Sequence, residues 1–157
     1  MKWRFTGWRL MDCAVVFFVI SALVSGPLCF GSFRNTGKFL SGHTLLFDEV
    51  VNAGQAKEGE FYVTTLRVVN GGTKPVKILG CHSSAMTIPT SDFPLKLNPL
   101  EAGELRLRWR QQVPQGLGFI TSKDKVRFFT DCKSEPFFEV EFVTKVLASR
   151  DRLADAN

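Results

Sequence analysis

The residues with the most chemical reach in this chain are Cys81 and His82, with Met86 just beyond them and Cys132 far downstream. Thiolate, imidazole and thioether make a ligand set for a soft metal such as copper. Adjacent residues on a strand point to opposite faces, so Cys81 and His82 serve one ion jointly only where the strand has already ended. The plainer reading is a buried thiol next to a loop histidine. The other histidine, His43, lies well upstream in a polar stretch. Cys81 and Cys132 are also a candidate disulfide in an oxidising compartment, which requires Cα atoms within about 7 Å.

A second feature is basic. Arg106, Arg108 and Arg110 alternate with Leu105, Leu107 and Trp109, which places the three guanidinium groups on one face of a strand. Such a stripe would bind anionic lipid headgroups, an anionic cell-wall polymer or an acidic protein. Its alternative is a solvated outer face paired with acids on a neighbouring strand. Arg127 beside Glu139 or Glu141 would be another surface pair, worth little by itself.

Catalytic signals are missing from this inventory. Tyr62 is the single tyrosine, and neither histidine sits in a metalloprotease helix motif. There is no nucleophile elbow, P-loop or dinucleotide fingerprint. The chain therefore reads as a non-enzyme without a cofactor.

These side chains must be positioned by strands. The stretch Glu60–Ser84 is the clearest: Phe61–Val69 is rich in β-branched and aromatic residues, with Leu66 and Val68 on one face and Thr65 and Arg67 on the other. Asn70-Gly71-Gly72 can adopt positive φ and Pro75 opens the next strand, in which Val76 and Ile78 resume the inward face. This predicts a hairpin or a sandwich corner.

The chain has 157 residues, 45% of them hydrophobic, enough for one domain with a core plus appendages. Formal net charge is +5. Residues 34–157 carry 17 basic and 14 acidic residues, a mild surplus that gives no case for nucleic acid. Cys13 and Cys29 fall in the apolar N-terminal run, which leaves two cysteines for the domain, too few for a disulfide scaffold.

Residues 1–12 carry Lys2, Arg4 and Arg9 with Trp3 and Trp8 interleaved, and residues 13–33 are free of charge. As a helix at about 1.5 Å per residue, that run reaches roughly 30 Å, the thickness of a bilayer core. Basic residues before it predict a cytoplasmic N-terminus, hence a single-pass protein of the cell membrane with its C-terminal domain extracytoplasmic. The alternative is a signal peptide removed near Gly31, which leaves a secreted or periplasmic domain. Residues 34–43 read as a polar linker, 44–147 as the domain, and 148–157 as a polar tail.

Within the domain, seven short strands are expected. They are a first one around Leu45–Val51, the central pair, then Leu95–Leu97, Glu104–Gln111, Lys125–Thr130 and Phe137–Val146. Turns are placed at Asn52–Gly59, in the Pro-rich stretch Met86–Pro94 and at Asp131–Pro136. The spacing fits an all-β, Ig-like Greek-key sandwich, with a jelly roll or small barrel as the alternative.

The order of features resembles a bacterial exported Ig-like family of unknown function, similar to major-sperm-protein and Hydin-like domains. The counterparts are Phe47 with Gly54, Leu66-Arg67-Val68-Val69-Asn70-Gly71, Val76-Lys77-Ile78-Leu79-Gly80-Cys81, Glu101-Ala102-Gly103-Glu104, and Thr130-Asp131. Cys81-His82-Ser83 stands where the family has Cys-Gly-Cys, so its second cysteine is a serine here. The resemblance implies an exported, non-catalytic module. The expected function is binding or structural support in the cell envelope, with an unknown envelope protein or anionic polymer as partner. The alternative is an extracytoplasmic metal-binding or redox module centred on Cys81 and His82.

Overall fold

A computed structural model of the chain describes residues 6–83, 87–114 and 117–148. The chain forms two compact units, residues 1–43 and residues 44–157.

The first unit holds α1 (Thr6–Phe30) and α2 (Phe33–Leu40). Gly31 breaks the path between them with φ +83°, a conformation that costs a glycine little. Ser32 caps α2 by accepting from the Asn35 amide at 3.2 Å, and Asn35 in turn donates its side-chain amide to the Phe30 carbonyl at 3.1 Å. The stretch expected to be a linker is therefore helical. Its Ser-x-x-Asn start is a capping signal that its glycine and polar residues conceal. Among the described residues, no single helix is long and apolar enough to cross a membrane. Ala14–Phe30 and Phe33–Leu40 meet that requirement together, bent by 105°.

The second unit is a β-sandwich. One sheet has four strands, in the order β1 (Leu45–Phe47), β3 (Phe61–Asn70), β7 (Ala102–Arg110), β5 (Thr87–Pro89). The other has five, in the order β2 (Val50–Lys57), β9 (Phe137–Leu147), β8 (Phe119–Thr130), β4 (Val76–Ser83), β6 (Leu95–Leu97). Nine strands thus appear among the described residues where about seven are expected, for two reasons. The stretch Leu45–Val51 is two strands in different sheets, β1 antiparallel to β3 and β2 parallel to β9. Residues 87–89, read as loop within the Pro-rich stretch Met86–Pro94, form the edge strand β5, where a proline is tolerated.

Gly54 is likewise a bulge rather than a turn. The β2–β9 register shifts between Asn52 and Gly54, Gly54 takes φ +81°, and its amide donates to Asn52 Oδ1 at 2.9 Å. The step from β3 to β4 crosses between sheets, so Asn70–Pro75 is a sandwich corner. Gly72 serves close approach there, because a Cβ would lie 3.0 Å from Thr44 Cγ2.

The core lies between the sheets. Leu66 and Val68 of β3 and Leu105, Leu107 and Trp109 of β7 face Ile78, Val126, Phe128, Val140 and Phe142, all at most 2% exposed. Trp109 meets Phe142 edge to face at 4.8 Å between centroids, and Phe128 stacks on Phe138 at 5.0 Å. Burying each such side chain contributes about 1.5–3 kcal/mol.

Candidate functional site

Pairing of β3 with β7 and β5 assembles the basic stripe. Register places Phe61 opposite Arg110, Val63 opposite Arg108 and Thr65 opposite Arg106. On the far side of β7, Ile88 pairs with Arg108. Because cross-strand partners share a face, all of these side chains emerge on the outer surface of the four-stranded sheet. Phe61, Val63 and Ile88 are large apolar groups 48%, 59% and 54% exposed.

Charge on this surface is only partly balanced. Arg106 pairs with Glu104 on its own strand at 3.3 Å. Arg108 folds over Phe61, its guanidinium carbon 3.8 Å from the ring centroid, and Arg110 stands 5.6 Å from the same ring. Among the described residues, neither Arg108 nor Arg110 makes an ion pair. The outer face of the five-stranded sheet is different. There Arg127 is held by Glu139 at 2.6 Å, the cross-strand pair expected from sequence, and Lys123 lies 3.8 Å from Glu141. The basic stripe thus carries two guanidinium groups seated on an aromatic ring between exposed aliphatic side chains. That arrangement suits an oxyanion that brings apolar surface with it.

The stripe was legible as Arg106, Arg108 and Arg110. Its apolar partners were missed. Phe61 and Val63 share their parity with Thr65 and Arg67, so alternation alone marks them as outward. Ile88 was hidden in apparent loop.

The other chemical candidates do not converge. The β4–β8 register shifts between Ile78 and Gly80, and this bulge exchanges the faces beyond it. Cys81 turns inward, paired with Phe128 and packed against the core, while His82 is exposed opposite Arg127. The two therefore point to opposite faces and cannot share an ion. Met86 lies outside the described residues. Among the described residues, no cluster of three or more histidine, cysteine or acidic side chains could hold a metal.

Cys81 and Cys132 are free cysteines here. The Asp131 amide donates to the Lys77 carbonyl at 3.1 Å, which places Cys132 beside the start of β4. Cys81 lies four residues further along that strand, so the two are separated by roughly 10 Å or more, beyond the reach of a disulfide.

The two thiols have different environments. Burial pushes the Cys81 thiol up. Burial acts the same way on Cys132, but the Ser134 and Thr44 hydroxyls and the amides of Glu135 and Ser134 outweigh it and hold this thiol below its usual value. Ser134 Oγ lies 3.1 Å from Cys132 Sγ.

A buried polar group closes one end of the sandwich. Asp124 accepts from Gln111 Nε2 at 2.6 Å and from Ser122 Oγ at 2.9 Å. Burial pushes the nearby Tyr62 hydroxyl up. Thr144 works the other way without reaching hydrogen-bond geometry, and the Asp124 carboxylate adds to the rise. Tyr62 also lines a cleft of about 310 Å³ with Gln55, Ala56, Lys57, Glu60, Phe61 and Leu147.

No family model and no curated protein matches this chain. Solved structures do. A protein of unknown function from Porphyromonas gingivalis W83 aligns over 65% of this chain and 46% of its own, at 15% identity and a TM-score of 0.51. The secreted serine protease VesC of Vibrio cholerae aligns over 68% of this chain and 24% of its own, at 9% identity and a TM-score of 0.51. A PapD-like domain of human CEP192 aligns over 68% of this chain and 85% of its own, at 12% identity and a TM-score of 0.43. The chain therefore spans less than half the length of the first two. At these identities the likeness is one of fold alone.

Proposed function

We propose that this chain is a membrane-tethered or exported Ig-like module of the cell envelope that acts by binding, not by catalysis. Its contact surface is the outer face of the β1–β3–β7–β5 sheet. One observation carries the reading: Arg108 and Arg110 crowd onto Phe61, with no ion pair to either among the described residues, between the exposed Val63 and Ile88. The partner is an envelope protein or anionic polymer with apolar groups beside its negative charge.

The Ig-like assignment is supported by strand order. Counting β1, β3, β7 and β5 as A, B, E and D gives the first sheet of that fold, and β4, β8 and β9 give its C, F and G. Tethering is supported by Lys2, Arg4 and Arg9 ahead of the uncharged run at residues 13–33.

A photo-crosslinking residue placed at Ile88, in cells, is expected to give a discrete adduct that Arg108→Glu with Arg110→Glu abolishes. The same residue at Lys125, on the other sheet, should give none. Equal adducts from both faces would defeat the reading. So would protease protection of a C-terminal tag in intact cells whose outer barrier has been opened.

A further inference from the structure

Main-chain hydrogen bonds must be accounted for along β3, and half of that strand has an uncovered edge. β1 pairs only with Val68, Val69 and Asn70. On the other side, β7 pairs with β3 from Phe61 to Val69. Which groups face which way follows from β7. The Thr90 amide donates to the Arg106 carbonyl at 2.9 Å, and the Arg106 amide donates to Ser91 Oγ at 2.6 Å. Arg106 therefore bonds toward β5, and the Thr65–Arg106 pair exchanges no bonds. Alternation makes Thr64 and Leu66 the residues that bond to β7. Phe61, Val63 and Thr65 turn their N–H and C=O groups the other way, where no described backbone hydrogen-bonds to them.

We propose that this edge accepts an extended strand from an acidic partner protein, added antiparallel or parallel to Phe61–Thr65 as an extra strand of the four-stranded sheet. The side chains decide what that strand must carry. Residues opposite Phe61, Val63 and Thr65 emerge on the outer face, beside Arg108 and Arg110, and are acidic. Residues opposite Tyr62 and Thr64 point inward, toward the cleft between β2 and β3 that Gln55, Lys57 and Glu60 line together with Ala56, Tyr62 and Leu147; they are apolar where they meet Ala56, Tyr62 and Leu147. The ligand is thus a segment of alternating acidic and apolar residues. Charge also selects against a second copy of this chain. Two β3 edges joined across a two-fold axis would bring both sets of arginines onto one continuous face.

This inference rests on the binding face proposed above and adds the edge to it. The test uses the full-length chain in detergent micelles and a short synthetic peptide of alternating glutamate and valine. Expected results are saturable binding and slowed hydrogen exchange at the Val63 and Thr65 amides. N-methylation of alternate peptide residues should weaken binding by about tenfold or more, the effect of losing two to three main-chain hydrogen bonds. Thr65→Pro should do the same, since it removes an N–H that β7 does not use. Arg108→Glu with Arg110→Glu should also weaken binding, and a control peptide of alternating lysine and valine should not bind. Binding that charge reversal abolishes but N-methylation leaves intact would overturn strand addition while leaving the face in place. Binding to phosphatidylserine vesicles without the peptide effect, or self-association in sedimentation with no peptide binding, would overturn the acidic strand as occupant.

Discussion

Arg108 lies with its guanidinium carbon 3.8 Å from the centre of the Phe61 ring, across a strand pair in which Val63, not Phe61, is its register partner. The diagonal contact covers an aromatic ring that would otherwise be bare and holds the charge at the surface. An exposed cation–π contact is worth about 0.5–1 kcal/mol. Arg108→Ala should therefore lower stability by no more than about 1 kcal/mol in urea unfolding, while adducts formed at Ile88 weaken sharply. A large stability loss with unchanged adducts would make Arg108 a structural residue.

Asn70 predicts the opposite balance. It is fully buried, and its side-chain amide donates to the carbonyls of Lys74 at 2.8 Å and Leu97 at 3.0 Å, while its oxygen accepts from the Gly72 amide at 2.9 Å. One side chain thus holds the corner between the sheets and pins β6. Asn70→Ala should cost about 2–4 kcal/mol, because buried backbone groups lose their partners. Asn70→Asp should cost at least as much, since it keeps the acceptor and removes both donors. Urea unfolding measures both, and a loss below about 1 kcal/mol would remove Asn70 from this role.

The two domain thiols should ionise in a fixed order. The Cys132 thiol is held below its ordinary value and the Cys81 thiol above it. Iodoacetamide labelling followed by mass spectrometry across rising pH should mark Cys132 first and Cys81 only at more alkaline pH. The stability linkage differs in sign. A depressed Cys132 adds stability above its unfolded value that is lost as pH falls through the folded one. A raised Cys81 adds stability below its unfolded value that is lost as pH rises through the folded one. Equal labelling profiles would contradict both environments.

In the first unit, α1 and α2 approach closely where Gly26 faces Thr36. A Cβ at position 26 would lie 2.5 Å from Thr36 Cγ2 and 2.7 Å from its Oγ1. Gly26→Leu should therefore widen the angle between the helices. Spin labels at Ser25 and Gly37 would report a longer, broader distance distribution, and an unchanged one would show that Thr36 swings aside.

Much of the sandwich was legible from alternation. Leu105, Leu107 and Trp109 are buried as their period requires, and Phe138, Val140 and Phe142 likewise. Two kinds of residue misled. Glycine and asparagine at 52–54 signalled a turn but make a bulge, because both features need the same positive φ. Pro89 signalled loop, yet an edge strand leaves proline's missing donor facing away from the ladder, while Pro94 does lie in a bend outside the strands.

The sequence by itself determined that strands form, where most begin and end, and which side chains share a face within each. Those properties depend on residues a few positions apart. Sheet membership is a different matter. The split of residues 45–57 between two sheets is set by long-range pairings, Leu45–Phe47 with β3 and Val50–Lys57 with β9. The same holds for Cys81. Period two carried on from Ile78 places it outward with His82 inward, and one extra residue at Leu79 reverses both. Only contact with Phe128, almost fifty residues away in the chain, decides that, because a bulge is fixed by the partner strand's register and leaves no local trace.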